Sequence, residues 1–563
     1  MKKHFLTLLF FVAAFCSITR AANIENIRIM TYNIPMGNIL VTDGNGQNTW
    51  INRSYAIHRY LLDVQPDLIG MQEPVRQSLI DMLVGIPNYA LVGRGRNKEA
   101  ADGGEYSCIL YRIDRFRVID HGTYWLTDTP DEYSKVEGAG HYRIATWAYM
   151  EDIHSGARFL YTNTHLSYES EAVTLAQIKV LKKHMFELNE KYGTNLPHLL
   201  TGDFNMYETE TFNYNQVLNL KLRMRDMWNI AREKKDNCSG AKMRIDYIYA
   251  TTRVFCSHAQ WDNSKTEDGF WMSDHNPFWA DVYFNSTAAD DARGAVTKAW
   301  AEIDSTFAYT TKRIRLISSK TQITADCTES SYPTSNAIDG NGNTFYHSLY
   351  SKTAPNNPHY LQVELKNEIE NFTFNYTRRS DKPGDCWNDI MITASNDLEN
   401  WDYITHVYGI GEEQSLIYSS PNIALHKPYK HLRFHVLRTP SETLRNGHPQ
   451  HAVAEIQLYQ NSVDDNCIYS TNAEVKAAVD ALKETIAQVN ALIEDGTVKA
   501  EHVTAIEEGI AALREARSSA TSIDDIVDTQ ENDATKAYGI DGRPRNSTDR
   551  GLIIINGKKL INR

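Results

Sequence analysis

An acid and an amide stand two residues apart at the end of an apolar run, in residues 199–205 (LLTGDFN). A run of this kind predicts a buried strand, and Gly202 permits a turn or a close approach to a ligand where the strand ends. Because side chains alternate along an extended chain, Asp203 and Asn205 would point to the same side. Such a pair could orient a water nucleophile and donate to a phosphoryl oxygen. A strand that ends in an Asx turn can have the same sequence, so this motif alone does not distinguish a catalytic site from a turn.

Further polar residues stand at or near the ends of other predicted strands: Asn33, Glu73, His165, Asp246, Asp274 and His275. Alternating or apolar runs predict those strands at residues 27–33, 67–73, 158–166, 244–249 and 278–284. Taken singly, each polar residue has a structural reading, as a turn residue, a helix-capping acid, an edge histidine or half of an ion pair. The whole set, in this order, is stronger evidence for a functional site, because the probabilities that each residue stands there by chance multiply.

Helices and loops must position these strand ends. Residues 55–64, 75–84 and 170–192 have helical patterns, and residues 93–105 are rich in Gly and charge, which indicates a loop. Residues 146–150 and 158–166 predict a hairpin across residues 152–156. The first half of the chain therefore predicts strands and helices in alternation, with polar residues gathered at strand ends.

These motifs together resemble the endonuclease/exonuclease/phosphatase superfamily, which includes deoxyribonucleases, abasic-site endonucleases, sphingomyelinases and inositol-polyphosphate phosphatases. The matching segments are residues 31–33 (TYN), 72–73 (QE), 163–166 (NTHL), 202–205 (GDFN), 244–247 (RIDY) and 273–277 (SDHNP). The resemblance covers residues 24–285 and implies an α/β four-layer sandwich, in which two mainly antiparallel sheets pack together with helices outside.

The resemblance also implies a metal site. Glu73 would be the main ligand of Mg²⁺, or of Mn²⁺ in its place, helped by Asn33 and Asp274. Carboxylate and amide oxygens suit such a hard cation, which neutralises charge that develops on a phosphate.

The same resemblance implies the catalytic roles. Asp203 would orient or deprotonate the attacking water, and Asn205 would donate to the phosphoryl group. His275, oriented by Asp246, would contact that group, and His165 would stabilise a phosphoryl oxygen or protonate the leaving oxygen. Whether Asp203 or His275 is the base stays open at this stage.

Substrate choice would lie in the loops. Arg94, Arg96 and Arg143 could clamp additional phosphate groups or could be solvated charges, which is the expectation for Arg96. Trp271 precedes the SDHNP motif and could stack on a base, a sugar or an acyl chain, or could pack beneath its loop.

The chain of 563 residues is too long for one core, so we expect several domains. Its net charge of −13 argues against a basic nucleic-acid grip over the whole surface, but not against a nuclease that reaches phosphate through a cation. Residues 1–21 are typical of a secretory signal peptide, and no later stretch is apolar enough to span a membrane. We therefore expect a secreted, cell-surface or periplasmic protein, and Cys238–Cys256 is the expected disulfide.

A linker with a short helix is predicted at residues 286–312, and residues 313–460 read as a β-sandwich. Residues 337–341 (AIDGN), 395–397 (SND), 432–434 (LRF) and 454–456 (AEI) resemble a discoidin-like domain of the coagulation factor 5/8 type C class. That resemblance implies an all-β jelly-roll sandwich that binds carbohydrate. It also suggests glycan contacts at His347, Arg378 and Trp387, and a Ca²⁺ site at Asp339, Asn341, Thr344 and Glu455. A plain β-turn is the alternative to that Ca²⁺ site.

Residues 471–520 are Ala-rich with a helical apolar face, which predicts a small helical spacer. Residues 521–534 are acidic and linker-like, and residues 535–563 resemble the C-terminal sorting tails of secreted Bacteroidetes proteins or form a terminal hairpin.

The sequence thus predicts an exported, Mg²⁺-dependent hydrolase of phosphoester bonds, with phosphodiesters preferred, targeted to glycans or cell surfaces. Its substrate would be a phosphoglycan, a phospholipid head group or a nucleic acid. The alternatives are a catalytically inactive carbohydrate-binding surface protein and a metal-binding adhesin. Loss of catalysis would be expected to remove Glu73, Asp203 or His275, and all three are present.

Overall fold

The computed structural model describes residues 26–35, 50–97, 103–238, 244–266, 271–350, 359–411, 415–440, 444–445, 448–521, 537–539, 544–545, 551–555 and 558–562. The predicted signal peptide lies outside these residues, as does nearly all of the acidic linker. Within the described residues, no helix combines the length and the apolar composition that crossing a membrane requires.

The first domain alternates strands and helices. In chain order its elements are β1 (Ile27–Asn33), α1 (Trp50–Val64), β2 (Leu68–Gln72), α2 (Arg76–Gly85), β3 (Tyr89–Val92), β4 (Ser107–Arg112), β5 (Phe116–Trp125), β6 (Ile144–Asp152), β7 (Arg158–His165), α3 (Glu171–Tyr192), β8 (His198–Asp203), α4 (Thr211–Asn219), β9 (Met224–Asp226), α5 (Met227–Ile230), β10 (Glu233–Asp236), β11 (Asp246–Thr251), β12 (Val254–Trp261) and β13 (Phe278–Phe284).

Two mixed sheets form the centre of this domain. One has the strand order β10-β12-β13-β1-β2-β4-β3, and the other has the order β5-β6-β7-β8-β11-β9. Their facing sides bury a common apolar core that includes Phe116, Phe159 and Phe284. Apolar residues of α1 and α2 pack on the outer face of the first sheet, and those of α3 and α4 pack on the outer face of the second. The predicted four-layer α/β sandwich is confirmed.

A β-sandwich follows the helix α6 (Ala288–Asp304). Its strands are β14 (Tyr309–Arg315), β15 (Ile323–Ala325), β16 (Tyr346–His347), β17 (Tyr360–Thr377), β18 (Asp389–Ser395), β19 (Asp402–Val407), β20 (Ile417–Ser419), β21 (Ile423–Arg438), β22 (Leu444–Arg445), β23 (His448–Pro449), β24 (Ala452–Val453) and β25 (Glu455–Val463). The main sheet has the order β14-β25-β17-β21-β18-β19, and β15 and β20 pair with β17. The pairing of β17 with β21 shifts register between Glu364 and Asn371, which bends both long strands around one buried core. The predicted all-β domain is confirmed.

The β-sandwich and the first domain form one compact unit. The Arg438 guanidinium donates to the Leu83 carbonyl oxygen at 3.1 Å, and the Tyr408 hydroxyl donates to the Ile113 carbonyl oxygen at 2.9 Å. Leu437 of β21 belongs to the core between the two sheets of the first domain. Apolar burial and directed hydrogen bonds therefore join the two domains.

A second compact unit contains residues 299–308, 463–488 and 504–563. The helices of this region are α7 (Ile468–Thr471), α8 (Ala473–Glu494) and α9 (Ala500–Thr521). Helices α8 and α9 pack closely, because a Cβ added to Gly509 of α9 would stand 2.8 Å from the Cδ1 atom of Leu482 in α8. The predicted apolar face of residues 471–520 is buried, including Val479 and Ile486. In the tail, β26 (Ala537–Gly539), β27 (Pro544–Arg545), β28 (Gly551–Ile555) and β29 (Lys558–Asn562) form an antiparallel sheet, with β28 and β29 as a terminal hairpin.

The cysteines correct one expectation. All six cysteines in the described residues are free thiols, and five of them are buried. The Cys238 thiol faces the carbonyl oxygen of Asp262 at 3.4 Å, and the Cys256 thiol faces the carbonyl oxygen of His258 at 3.2 Å. The predicted Cys238–Cys256 bridge is wrong, because each sulfur is directed towards a backbone acceptor instead of the other sulfur.

Candidate active site

Strand topology gathers the polar residues at one edge of the two sheets. In the first sheet β1 and β2 run parallel, with Asn33 opposite Gln72, so that Glu73 follows directly beside Asn33. In the second sheet β7 and β8 run parallel, with His165 opposite Asp203, and antiparallel β11 places Asp246 opposite Asp203. Because parallel strands end at the same edge, side chains distant in sequence meet there.

Asn33 connects the two sheets. Its Nδ2 donates to Glu73 Oε1 at 3.0 Å and to Asp203 Oδ2 at 2.9 Å. Glu73 has a φ of 67° and Asn205 a φ of 46°, both in the left-handed region. This conformation costs about 1 to 3 kcal/mol for a residue with a side chain, and it is concentrated at functional sites. The backbone is thus strained at two of the residues that the sequence singles out.

His275 is held between two carboxylates. Its Nδ1 lies 2.8 Å from Asp246 Oδ2, and its Nε2 lies 3.7 Å from Asp203 Oδ2. Burial acts to lower the pKa of His275, but the charges of Asp246 and Asp203 outweigh it and raise that pKa well above its ordinary value. The two carboxylates therefore favour the protonated form of His275.

Asp203 is buried at the centre of the site. Burial, followed by repulsion from Asp246, raises the pKa of Asp203 to about 6, although His275 acts in the opposite direction. Its Oδ1 accepts from the Asn205 backbone N–H at 2.9 Å. Burial and repulsion from Glu105 also raise the pKa of Glu73, against a hydrogen bond from Asn33. A carboxylate whose pKa approaches neutrality is suited to accept a proton.

His165 pairs with Asn205. The Asn205 Nδ2 donates to His165 Nε2 at 3.0 Å and to the Leu166 carbonyl oxygen at 2.9 Å. Both amide hydrogens of Asn205 are therefore engaged by the protein itself. Burial, and then the charges of Arg143 and His275, hold the pKa of His165 well below its ordinary value. His165 is consequently neutral at neutral pH, which favours a hydrogen-bonding role over that of a charged acid.

A buried polar network, which sequence reasoning missed, supports these residues from between the sheets. Asn163 Oδ1 accepts from Gln72 Nε2 at 2.7 Å and from Thr201 Oγ1 at 2.9 Å, and its Nδ2 donates to the carbonyl oxygens of Met71 and Cys108. A Cβ on Gly70 would stand 2.0 Å from Thr201 Oγ1, so glycine is required there. The signal was present in sequence, since Asn163 belongs to the NTHL motif.

Ser273 fixes the loop that carries Asp274 and His275. Its hydroxyl donates to the Asn33 carbonyl oxygen at 2.6 Å and accepts from the His275 backbone N–H at 3.1 Å. Asp274 itself is exposed. Arg53 of α1, another residue that sequence reasoning missed, donates to the Met272 carbonyl oxygen at 2.9 Å and so holds the same loop.

The three arginines near the site differ in their environments. Arg143 is 5% exposed, and its Nε has no hydrogen-bond partner in the described part of the chain. Burial and repulsion from Arg96 lower its pKa, while Glu105, Asp203 and Glu73 oppose that effect. Arg96 is paired with Glu105 at 2.6 Å, so the expectation of a solvated charge is wrong for it. Arg94 lies over the Trp125 ring at 4.9 Å.

The donor set fits a divalent cation. Ligand atoms of Glu73, His165 and Asp203 lie within 4.8 Å of one another, as do those of Asp203, Asp246 and His275. The Asn33 Oδ1 is buried and accepts no hydrogen bond from the described residues. An unsatisfied amide oxygen beside two carboxylates is the oxygen-rich environment that Mg²⁺ or Mn²⁺ prefers.

Residues 30–275 match the model of the endonuclease/exonuclease/phosphatase family. The first domain is similar to that family over these residues, which make up less than half of the chain. Members of the endonuclease/exonuclease/phosphatase family are hydrolases, and the divalent cations they use agree with the donor set described above. Residues 317–444 match the F5/8 type C domain, a binding module.

Individual relatives of this family are distant. Nocturnin of Drosophila melanogaster is 24% identical over 168 residues, which make up 29% of this chain and 25% of that protein. The chain thus spans about a quarter of the length of this curated relative. An endonuclease/exonuclease/phosphatase from Bacteroides vulgatus is 26% identical and covers 46% of this chain and 99% of its own, with a TM-score of 0.42. The mannosyl-6-phosphatase of Bacteroides thetaiotaomicron is 27% identical and covers 46% and 100%, with a TM-score of 0.42.

The predicted Ca²⁺ residues of the F5/8 type C domain do come together, as a hydrogen-bonded turn. Asp339 accepts from the Thr344 hydroxyl at 2.7 Å and from the Asn341 backbone N–H at 2.8 Å. Glu455 Oε1 accepts from the backbone N–H groups of Gly340 and Asn341. The turn satisfies much of its own hydrogen bonding, and Ca²⁺ binding stays a prediction.

The three suggested glycan residues are not brought together. Trp387 is fully buried and stacks on Tyr376 with ring centroids 4.6 Å apart, so its assignment to a glycan contact is wrong. Arg378 donates to the carbonyl oxygens of Gly411 and Ser415, so its guanidinium is engaged by the backbone. His347 alone lines a cavity, and the neighbouring Arg379 lines it in place of Arg378.

Proposed function

We propose that the first domain hydrolyses phosphoester bonds with the help of a bound divalent cation, and that the F5/8 type C domain binds carbohydrate. The observation that carries the proposal is the buried cluster at the sheet edge, in which Asp203 contacts Asn33, lies 3.4 Å from His165 and lies 3.7 Å from His275. Water activation, charge neutralisation and metal ligation are thus available within one cluster.

Asp203 is the proposed base. Its raised pKa keeps the carboxylate able to accept a proton from water near neutral pH, and the Asn205 backbone N–H and Asn33 amide orient it. His275 is the weaker candidate for the base, because its raised pKa keeps it protonated.

The protonated His275 is proposed to contact a phosphoryl oxygen. Asp246 holds its Nδ1, which leaves Nε2 directed to the centre of the site. A preorganised cation of this kind stabilises the charge that accumulates as the phosphoester is attacked. The neutral His165, held by Asn205, would orient the same phosphoryl group.

Glu73 and Asn33 are proposed to hold the cation, with Asp274 supplying a further carboxylate from its exposed loop. When bound, a divalent cation would neutralise charge on the phosphate and orient it. Secretion, a preference for diesters and the kind of glycan stay predictions of the sequence.

The test measures nitrophenol release from bis(p-nitrophenyl) phosphate and from p-nitrophenyl phosphate, with Mg²⁺ or Mn²⁺. Glu73→Gln and His275→Asn should each lower turnover by about 100-fold or more, and removal of the cation by EDTA should abolish it. Glu190→Gln, at an exposed position on α3, is the matched control. Full activity in Glu73→Gln would overturn the assignment of Glu73 to the cation, and no hydrolysis of either ester by the native chain would move the conclusion to the inactive binding protein.

A further inference from the structure

Three side chains that can bind a metal meet inside the β-sandwich, in a different domain from the candidate active site. They are Asp326, Cys327 and His359, and one ligand atom from each lies within 4.8 Å of the other two. The His359 side chain is fully buried, that of Asp326 is 5% exposed, and Cys327 is buried as well. Among the groups of this kind in the described part of the chain, this one alone includes a sulfur ligand.

Two neighbouring strands bring these residues together. Asp326 and Cys327 follow β15 directly, His359 directly precedes β17, and the two strands pair antiparallel, so the end of one meets the start of the other. The Cys327 carbonyl oxygen accepts from the Tyr346 hydroxyl at 2.9 Å, and the His359 carbonyl oxygen accepts from the Val436 N–H at 2.8 Å. The backbone that carries the three ligands is thus held in place by other strands of the domain.

One nitrogen of His359 faces both other ligands. Its Nδ1 lies 2.8 Å from Asp326 Oδ2 and 3.4 Å from Cys327 Sγ. In a tetrahedral zinc site the bonds are about 2.3 Å to sulfur and about 2.0 Å to nitrogen or oxygen, which puts sulfur about 3.5 Å from nitrogen and nitrogen about 3.3 Å from oxygen. The sulfur–nitrogen distance is therefore already that of a zinc site, and the carboxylate has to move by only about 0.5 Å.

Hydrogen bonding explains only part of this arrangement. An Nδ1–H donated to Asp326 makes an ordinary buried histidine–carboxylate pair, but it gives no reason for a sulfur at the same nitrogen. A nucleophilic thiol–imidazole–carboxylate relay needs the thiol and the carboxylate at opposite nitrogens of the ring, whereas here both stand at Nδ1. Three ligand atoms around one point are the arrangement of a metal site.

The charges and the types of the donors favour Zn²⁺ over Mg²⁺ or Ca²⁺. A dication bound by one thiolate, one carboxylate and one neutral imidazole forms a group without net charge, which reduces the cost of burying it. Sulfur and nitrogen ligands suit Zn²⁺, whereas Mg²⁺ and Ca²⁺ take oxygen ligands.

A buried histidine beside the cluster lacks an acceptor for its N–H. Burial holds the pKa of His451 well below its ordinary value, so the ring is neutral, and Trp387 Nε1 donates to its Nδ1 at 3.0 Å. The ring hydrogen of His451 is therefore on Nε2, which is buried and has no hydrogen-bond partner among the described residues. The His451 and His359 ring centroids are 6.5 Å apart. A water bound as the fourth zinc ligand would accept from this N–H, and buried donors without an acceptor are rare.

We propose that Asp326, Cys327 and His359 bind Zn²⁺ through Oδ2, Sγ and Nδ1, with a water as the fourth ligand. On binding, the Cys327 thiol releases its proton to solvent, the sulfur–zinc bond forms with the electron pair that remains, and the neutral His359 ring carries its hydrogen on Nε2. The ion joins the end of β15 to the start of β17 and so stabilises the F5/8 type C domain. The site is independent of the proposed phosphoester hydrolysis, so neither conclusion depends on the other.

Cobalt reports the sulfur ligand directly. The full chain is stripped of metal with a chelator and titrated with Co²⁺, whose bond to a thiolate gives a charge-transfer band in the near ultraviolet. Co²⁺ at the candidate active site gives no such band, because that group of ligands has no sulfur. We expect the band to saturate at about one Co²⁺ per chain and to disappear when Zn²⁺, which binds more tightly, is added.

Two cysteine variants locate the band. Cys327→Ser should abolish it, whereas Cys238→Ser, which changes the least buried of the six cysteines, should retain it. A stripped native chain that gives no band overturns the proposal, as does a band that survives in Cys327→Ser.

Asp326→Asn separates metal binding from folding, because it keeps the thiol. Its Oδ1 can still accept from the Tyr360 backbone N–H, as Asp326 Oδ1 does at 3.1 Å, so the domain should fold. We expect this variant to weaken Co²⁺ binding about 10-fold or more, measured from the titration of the same band. Asp465→Asn, at an exposed position, is the matched control and should bind Co²⁺ as the native chain does. An unchanged Kd in Asp326→Asn would show that the carboxylate serves only the hydrogen bond to His359, and it would overturn the proposed ligand set.

Discussion

Arg143 is a buried cation beside the charged residues of the candidate active site. It lowers the pKa of His165 and is itself influenced by Asp203 and Glu73, so its guanidinium belongs to the same site. A phosphomonoester carries more negative charge than a diester, and a guanidinium can bind two phosphate oxygens at once.

We therefore expect Arg143→Gln to lower kcat/KM for p-nitrophenyl phosphate by about 10- to 100-fold, and to lower it less for the diester. Arg253→Gln, at an exposed position, is the control. Steady-state kinetics on both esters measure the effect. An equal loss on the two substrates would contradict the assignment of Arg143 to the additional phosphate charge.

His198 is a buried histidine that should make the first domain sensitive to acid. Burial, and then the charge of Lys182, lower the pKa of His198 to about 3, below its ordinary value of 6.5. Between these pH values the unfolded chain binds a proton that the folded chain excludes. The free energy of unfolding therefore falls as pH decreases through this window, by up to about 1.4 kcal/mol per pH unit.

The variant His198→Gln should lose less stability than the native chain when pH falls from 7.5 to 5. His198 also lies 2.8 Å from Thr162 Oγ1 and 2.7 Å from Asn189 Oδ1, so the variant starts from a lower stability at pH 7.5. Thermal unfolding at both pH values gives the difference, and the exposed His154→Gln is the control. An identical acid loss in His198→Gln would rule out this histidine as its source.

At the scale of elements, the two sheets approach each other closely at Gly70. This residue of β2 faces Thr201 of β8, with Asn163 and the Tyr161 hydroxyl beside it. An added methyl group has no room there, and overpacking of a core costs about 1 to 3 kcal/mol.

Gly70→Ala should therefore lower the Tm of the first domain and reduce turnover, because it displaces the network beneath Asp203. Gly342→Ala is the matched control, since an added Cβ at Gly342 meets no atom within 4 Å. Calorimetry and the nitrophenol assay measure the two effects. A Tm equal to that of the control would show that the sheets can separate without cost.

Much of the fold and of the candidate site could be predicted from sequence, for a physical reason. The periodicity of apolar residues reports secondary structure directly, so the strands that end at Asn33, His165 and Asp203 were anticipated. The roles of Gly70 and Thr201 could not be, because they depend on how one sheet faces the other. The burial of Trp387 could not be predicted for a similar reason, because the residues around it show no regular alternation of apolar and polar side chains.

At the scale of the whole molecule, the first domain and the β-sandwich should unfold as one cooperative unit. The Tyr408 hydroxyl donates across their contact to Ile113, whereas the Tyr429 hydroxyl donates to Asp402 within the β-sandwich. Loss of one such hydrogen bond costs about 1 kcal/mol.

Tyr408→Phe should therefore separate the unfolding transitions of the two domains or broaden their common transition. Tyr429→Phe, which removes a hydrogen bond inside the β-sandwich, should instead lower the Tm of the common transition and leave that transition single. Differential scanning calorimetry with domain-specific proteolysis distinguishes these results. If both variants gave the same profile, the contact at Tyr408 would have no part in coupling the domains.

The free cysteines have a practical consequence for how this chain is made. None of the six cysteines forms a disulfide, so disulfide bonds contribute nothing to the stability of the described domains. The chain should reach its native state as readily in a reducing medium as in an oxidising one, and thiol reagents should react first with Cys238, which is the least buried of the six. Folding of the described domains therefore requires no disulfide isomerase.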